Sequence, residues 1–213
     1  MRQCLSFNYS GRSVLPVLGV LWGLAVAPGA LPVARADSTD APIQYQDPYN
    51  FEALIPGQVY HGGSPADDLE YRTLKEKYHI KTIIELRGIA IGETLLTPWH
   101  RQQAAQWGMN FLYEGFSPLA MGRQNDVQID RILLEVANRS NQPVYFHCRL
   151  GDDRTMLISA LFQNLFMGRP AVEVDQDLKA HHFSTFLGGF FLASARQYWA
   201  DRQVPQGEHH NGY

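Results

Sequence analysis

One short stretch of the chain, residues 143–155, constrains the fold more than any other. Residues 143–147 (PVYFH) read as a buried strand, because β-branched and aromatic residues follow one another there. An apolar helix is predicted over 154–167, and Gly168 ends it. Gly151 lies in the middle of the connecting loop, where a tight curl needs unusual backbone angles. A strand, a curled loop and a helix in this order are typical of an α/β domain with a ligand site at the carboxyl end of a strand.

Strand and helix signals alternate along the rest of the chain. Short β-branched or apolar runs predict strands, and capping residues followed by apolar periodicity predict helices. Ser64 is the predicted N-cap of the first helix. The predicted strands are 59–61, 80–86, 110–113 and 143–147, and the predicted helices are 64–78, 97–107, 125–138, 154–167, 171–181 and 186–200. This alternation predicts an α/β fold with a central, mostly parallel sheet of four to five strands flanked by helices.

Cys148 directly follows the predicted strand and is the candidate nucleophile. The curled backbone after it would point successive N–H groups inward as an anion nest, and the helix N-terminus adds partial positive charge. Arg154 can hold two oxygens of a phosphate through its planar fork. The same donors would stabilise the thiolate of Cys148, the form that attacks phosphorus. The predicted phosphate-binding residues are Arg149, Leu150, Gly151, Asp152, Asp153 and Arg154.

Two neighbouring residues are expected to support the nucleophile. Thr155 can donate its hydroxyl to the sulfur, which would help the thiolate to leave in a second step. His147 would orient the loop from behind Cys148. It is not expected to act as a base, because an ionised thiolate needs none.

The spacing Cys-x5-Arg followed by Ser or Thr is the signature of cysteine-dependent protein-tyrosine and dual-specificity phosphatases. The chain resembles that superfamily over most of its length, although Met156 stands where family members usually have Gly. Asn50-Phe51 and residues 56–65 and 80–88 look like the bacterial and plant–fungal atypical dual-specificity branch. The resemblance implies hydrolysis of phosphomonoesters through a phosphocysteine, on a phosphorylated protein or a small phosphorylated substrate. It implies no metal and no other cofactor.

The general acid has two candidates. The resemblance implies an Asp from the loop before the helix at 125–138, where the only acid is Asp126, in a helix-cap position. Myotubularin-like and Sac-like lipid phosphatases instead carry an Asp at the fifth loop position, which is Asp153 here. Asp153 could equally pair with Arg154 at the helix N-terminus. Asp152 is expected to face solvent.

Two alternative functions fit parts of the pattern. A rhodanese-like sulfurtransferase also places a Cys at a strand end, but its loops usually have four residues before the closing Arg, sized for sulfur. Five residues lie between Cys148 and Arg154, which gives a ring that suits a tetrahedral oxyanion. A non-catalytic pseudophosphatase would bind phosphate without turnover. The unclear acid favours that alternative, and the intact Cys148, Arg154 and Thr155 argue against it.

The N-terminal residues predict export. Arg2 and Arg12 precede an apolar run at 14–27, and residues 34–36 (ARA) match a signal-peptidase site. The run is too short and too broken by Pro and Gly to span a bilayer comfortably as a membrane anchor. Cleavage would also remove it, so we expect no stable membrane insertion of the mature chain. The protein is therefore predicted to be periplasmic or secreted. The predicted divisions are a signal peptide at 1–36, an N-terminal arm at 37–50, a phosphatase domain at 51–202 and a flexible tail at 203–213.

Cleavage would change both the charge and the thiol content of the chain. It removes three Arg and no acid, so the net charge would fall from -3 to -6, which argues against nucleic acid as a partner. It also removes Cys4 and leaves Cys148 as the only thiol, so no intramolecular disulfide is expected. Phosphotyrosine, phosphoserine or phosphothreonine, an inositol polyphosphate and a phosphoinositide all fit the Cys148 loop. The two Asp beside Arg149 and the acidic net charge make the inositol polyphosphate less favoured.

Overall fold

The computed structural model describes residues 43–88, 94–117, 123–180 and 188–202. The predictions for 1–36, for 37–42 and for the tail at 203–213 lie outside these residues. The strands are β1 (Glu52–Ile55), β2 (Val59–Gly62), β3 (Thr82–Arg87), β4 (Asn110–Phe116) and β5 (Val144–His147). The helices are α1 (Asp68–Glu76), α2 (Thr97–Gln106), α3 (Arg123–Ala137), α4 (Asp153–Met167), α5 (Ala171–Ala180) and α6 (Gly188–Asp201).

The five described strands form one sheet in the order β1-β2-β5-β3-β4. β5 lies at the centre and pairs in parallel with β2 and β3, and β3 pairs in parallel with β4. β1 is antiparallel to β2 at the edge of the sheet. The predicted central, mostly parallel sheet is therefore confirmed. β1 was not predicted, because its four residues are exposed or half-buried and carry no buried apolar run.

Helices cover both faces of the sheet, as β5 illustrates. Every residue of β5 is buried, and successive side chains of a strand point to opposite faces. Val144 and Phe146 join the larger core cluster, which includes residues from α3 to α6. Tyr145 joins the smaller cluster with Tyr71, Leu74 and other residues of α1 and α2. A strand whose residues are all buried is what two covered faces produce.

The first helix begins later than the sequence predicts. Its N-cap is Asp67, which accepts a hydrogen bond from the Glu70 amide at 3.0 Å, so the prediction of Ser64 as N-cap is wrong. The Ser64 amide instead donates to the carbonyl of Arg149 at 3.0 Å. Ser64 is thus bound to the loop after β5, and the helix can start only after the chain has passed that contact.

Other element boundaries shift by a few residues. β4 continues to Phe116, beyond the predicted end at 113, and pairs with Arg87 of β3 after a register shift. Gly115 permits this close pairing, because a Cβ there would lie 2.3 Å from the Arg87 carbonyl oxygen. Gly168 ends α4 with φ +70°, as predicted. None of the helices among the described residues is long and apolar enough to cross a membrane.

The described end of the N-terminal arm, residues 43–50, contacts the domain. The Gln46 amide donates to the Thr73 hydroxyl at 2.9 Å, and Asp47 accepts from the Tyr78 hydroxyl at 2.8 Å. Phe51, which follows the arm, stacks on Tyr78 with ring centroids 4.3 Å apart. These contacts hold the chain between 46 and 51 in one place beside α1.

Candidate active site

Cys148 lies at the carboxyl end of the central strand and is 3% exposed. Its backbone N–H donates a hydrogen bond of 2.8 Å to the hydroxyl oxygen of Thr155, in the first turn of α4. The Thr155 hydroxyl lies 3.4 Å from the Gly62 carbonyl oxygen, to which it can donate. The two bonds close the loop from His147 to Thr155, here called the Cys148 loop, against the end of β2. The Thr155 hydroxyl contacts backbone groups in this arrangement, whereas the sequence predicted a hydrogen bond to the Cys148 sulfur.

The Cys148 loop curls around Gly151, which has φ +81°. A Cβ on Gly151 would lie 2.6 Å from the Gly62 carbonyl carbon and 2.7 Å from the Gly63 nitrogen. The loop therefore rests directly on the backbone at the end of β2, and a side chain at Gly151 would separate them. The sequence prediction that Gly151 supplies the unusual backbone angle is confirmed.

Arg154 is the second residue of α4 and is 6% exposed. Its Nε donates to the carbonyl oxygen of Phe116, the last residue of β4, at 3.0 Å. β4 and β5 are parallel to β3, so their carboxyl ends lie at the same edge of the sheet. The bond fixes the plane of the guanidinium at the edge where Cys148 also lies, and a fixed plane favours two-point binding of phosphate oxygens.

His147 is fully buried, and its Nδ1 lies 3.0 Å from the Cys148 carbonyl oxygen. Burial lowers the pKa of His147 to about 3, although its hydrogen bond to the Cys148 backbone opposes the shift. The ring is therefore neutral at pH 7, with Nδ1–H as the donor to Cys148. The neutral His147 ring, which donates to the Cys148 backbone, suits the orienting role predicted from the sequence. Because it is not protonated on both nitrogens, it is not suited to act as a general acid.

Asn50 contacts the Cys148 loop from the N-terminal side, which sequence reasoning missed. Its amide nitrogen donates to the Leu150 carbonyl oxygen at 3.0 Å and to Asp152 Oδ1 at 2.5 Å. Asn50 has φ +52°, a left-handed conformation that Asn tolerates better than most residues. Asp152 is half-buried: it is partly exposed to solvent, and its Oδ1 accepts this bond from Asn50. The sequence does carry a signal for Asn50, because Asn50-Phe51 is part of the family resemblance. That resemblance does not indicate which residues Asn50 contacts.

The two candidate acids lie on different helices. Asp153 is the first residue of α4, is half-buried and belongs to the Cys148 loop. Asp126 lies in the first turn of α3, and its Oδ2 is 3.8 Å from Nη1 of Arg202. Arg202 also pairs with Asp130 at 2.6 Å. The described contact of Asp126 is thus with an arginine just beyond α6. Residues 118–122, the rest of the segment expected to supply the acid, lie outside the described residues.

The exposed residues of the Cys148 loop contrast with a buried ion pair in β3. Arg149 and Leu150, both predicted to bind phosphate through their backbone, are exposed. Arg87, at the end of β3, is 3% exposed and forms an ion pair with Glu85, which is fully buried. A buried arginine needs such a partner. The sequence did not predict this pair, because Arg87 lies just beyond the strand predicted at 80–86.

No family model and no curated protein sequence matches the chain, but solved structures share its fold. The catalytic core of the PP-IP phosphatase Siw14 from S. cerevisiae is 17% identical, with a TM-score of 0.55, over 78% of this chain and 100% of that one. A Shewanella putrefaciens protein assigned as a phosphatase (DUF442) is 13% identical, with a TM-score of 0.57, over 76% and 94%. Kinase-associated phosphatase with its catalytic cysteine changed to serine is 13% identical, with a TM-score of 0.53, over 68% and 88%. The fold is that of the cysteine-dependent phosphatases, as the sequence resemblance predicted.

Proposed function

We propose that the chain is a cysteine-dependent phosphatase that hydrolyses phosphomonoesters through a phosphocysteine at Cys148. The observation that supports this most is the closed Cys148 loop. Its nucleophile, its curled backbone and the fixed guanidinium of Arg154 all lie at the carboxyl edge of the sheet. Such a loop binds a tetrahedral oxyanion beside a sulfur nucleophile.

The reaction has two displacement steps. The Cys148 thiolate attacks phosphorus in line, an S–P bond forms, and the bond from phosphorus to the leaving oxygen breaks as an acid protonates that oxygen. Water then attacks phosphorus and gives a proton to the carboxylate that the acid became in the first step. The S–P bond breaks, its electrons return to sulfur, and inorganic phosphate is released. Loop N–H groups and Arg154 would hold the equatorial oxygens in both steps.

Release of p-nitrophenol and phosphate from p-nitrophenyl phosphate by the full chain tests this function. A panel of a phosphotyrosyl peptide, a phosphothreonyl peptide and inositol hexakisphosphate then separates the substrate classes. The last compound belongs in the panel because the neighbour Siw14 is named as a PP-IP phosphatase. We propose the protein-tyrosine or dual-specificity type, since the loop carries two Asp beside Arg149.

We propose Asp153 as the general acid, because it belongs to the loop whereas Asp126 contacts Arg202. Asp153→Asn should lower kcat/KM for phenyl phosphate by about 100-fold, the usual contribution of a general acid. The same variant should affect p-nitrophenyl phosphate far less, because its leaving group needs little protonation. Asp126→Asn is the matched control. The reverse pattern, with the leaving-group effect in Asp126→Asn, would assign the acid to α3.

We also propose that the protein is exported. The tripartite pattern of residues 1–36 supports this. In an export-competent bacterial host, N-terminal sequencing of the product is expected to start at Asp37. A product that stays in the cytoplasm and starts at Met1 would contradict export and leave the proposed chemistry untouched.

A further inference from the structure

A cavity of about 490 Å³ opens beside the Cys148 loop. Its volume is within the range of small-molecule binding sites, so it has room for more of a substrate than a phosphate. Its lining includes residues that follow β2, end β3, begin α2 or belong to the loop itself: Ser64, Arg87, Leu96, Trp99, His100 and Arg149. Because Arg149 follows Cys148 directly, the cavity adjoins the position where the phosphate would bind.

The charge of this cavity comes from Arg149. Arg87 is neutralised by its buried partner Glu85. His100 is uncharged at neutral pH, because burial and, to a smaller extent, the nearby Arg87 guanidinium together lower its pKa to about 3. The described lining includes no carboxylate. Arg149, which is exposed, therefore gives the cavity about one positive charge.

Part of the cavity lining is apolar and fixed in place. Trp99 packs edge-on against Tyr71 and His100, with ring centroids 5.9 and 4.7 Å apart. His100 is itself held by the Tyr71 hydroxyl at 2.6 Å from Nδ1 and by the Ser64 hydroxyl at 3.3 Å from Nε2. Leu96 lies beside Trp99 in the lining and is 53% exposed. A rigid indole next to an exposed leucine offers a surface for an aliphatic or aromatic group.

One positive charge together with apolar lining residues does not suit an inositol polyphosphate, which carries charged or polar groups on all sides. It suits a peptide, in which an acidic side chain can lie next to an apolar one. We propose that this cavity binds the carboxylate of an acidic residue adjacent to the phosphorylated residue of a phosphopeptide, with Arg149 as the specificity-determining residue. Consecutive Cα atoms are about 3.8 Å apart, so the acidic residue would lie within one or two positions of the phosphorylated one. This inference rests on the proposed function, whose phosphate site it adjoins.

The experiment compares two phosphotyrosyl peptides that differ only in Asp or Asn beside the phosphorylated residue. At low ionic strength, the full chain should have a kcat/KM about fivefold higher for the Asp peptide, the upper value for an exposed ion pair. Arg149→Gln should bring this ratio close to one, and Arg149→Lys should keep part of it. The ratio cancels any effect of the substitution on steps common to both peptides.

Arg139→Gln is the matched control. Arg139 is also exposed, but it lies before β5, at the opposite edge of the sheet. This variant removes the same charge and should keep the fivefold ratio. Equal loss of the ratio in Arg139→Gln and Arg149→Gln would mean that overall charge is responsible, and would overturn the cavity assignment.

Three other results have separate meanings. A ratio of one in the unmodified chain would overturn the carboxylate site and leave the phosphatase intact. A higher kcat/KM for inositol hexakisphosphate than for either peptide would overturn the peptide assignment. If the unmodified chain releases no phosphate from p-nitrophenyl phosphate, the proposed function fails. The Kd ratio of the two peptides on Cys148→Ser then tests the cavity independently, and a ratio of one there overturns it.

Discussion

Replacing Cys148 with serine should reduce kcat for p-nitrophenyl phosphate by at least about 1,000-fold. Serine is nearly isosteric, but its hydroxyl is not ionised at neutral pH. His147 is a poor base for it, because burial lowers the His147 pKa to about 3 and its Nδ1–H is bonded to the Cys148 carbonyl. Loss of a covalent nucleophile typically costs several orders of magnitude. Binding should persist, since the loop N–H groups and Arg154 remain, so Kd for a phosphotyrosyl peptide should change by only a few fold.

Cys4→Ser is the control, because Cys4 is the only other cysteine in the chain. That variant should keep its activity. Phosphatase activity that survives in Cys148→Ser would show that sulfur is not the nucleophile. Transfer of sulfur from thiosulfate to cyanide, with no phosphate release, would identify the rhodanese-like alternative. Tight phosphopeptide binding with no turnover in the unmodified chain would identify a pseudophosphatase.

Gly151→Ala should lower kcat/KM for p-nitrophenyl phosphate by about 100-fold. The new Cβ would lie less than 3 Å from three backbone atoms of Gly62 and Gly63. Those atoms belong to the end of β2 and the residue after it and cannot rotate away as a flexible side chain would. The Cys148 loop must therefore shift, and a displacement of about 1 Å in a catalytic group can cost a factor of this size. Kinetics at several substrate concentrations should show the loss in KM as well as kcat, because the oxyanion nest is distorted.

Gly57→Ala is the control that distinguishes the steric clash at Gly151 from the strain of a left-handed backbone conformation. Gly57 has φ +79°, close to the +81° of Gly151, but a Cβ there would meet nothing within 4 Å. Both variants should lose about 1–2 kcal/mol of unfolding free energy from the left-handed conformation, as measured by urea denaturation. Only Gly151→Ala should lose activity in addition. An equal loss of activity in both would show that global stability, and not the contact with β2, controls the loop.

The contact between the Cys148 loop and Gly62 and Gly63 also explains a limit of sequence reasoning. Gly151 was predicted to curl the loop from its residue type and its position between strand and helix. Its contacts with Gly62 and Gly63, about 90 residues earlier in the chain, could not be predicted. They depend on the strand order β2-β5-β3, which no local sequence pattern indicates. The same holds for Ser64, which binds the Arg149 carbonyl where a helix N-cap was predicted.

Asn50 and Asp152 give a second example of the same limit. Each residue type is common in loops and caps, so the sequence did not predict the hydrogen bond between them. The contact exists because Phe51 stacks on Tyr60, Tyr78 and Tyr145 and places the preceding residue beside the loop. Aromatic stacking of this kind depends on three elements meeting in space.

The sequence alone determined the chemistry offered by the Cys148 loop and the kind of sheet that carries it. Both depend on local information: the order strand, loop and helix, the spacing from Cys148 to Arg154, and β-branched runs that need two covered faces. The tertiary structure decided which groups hold the loop and what surrounds it. The Phe116 carbonyl on Arg154, Asn50 on the loop, and the cavity between Arg149 and Trp99 all join distant segments. Such contacts follow from strand order and helix packing, which are set by burial of the whole chain and not by any one segment.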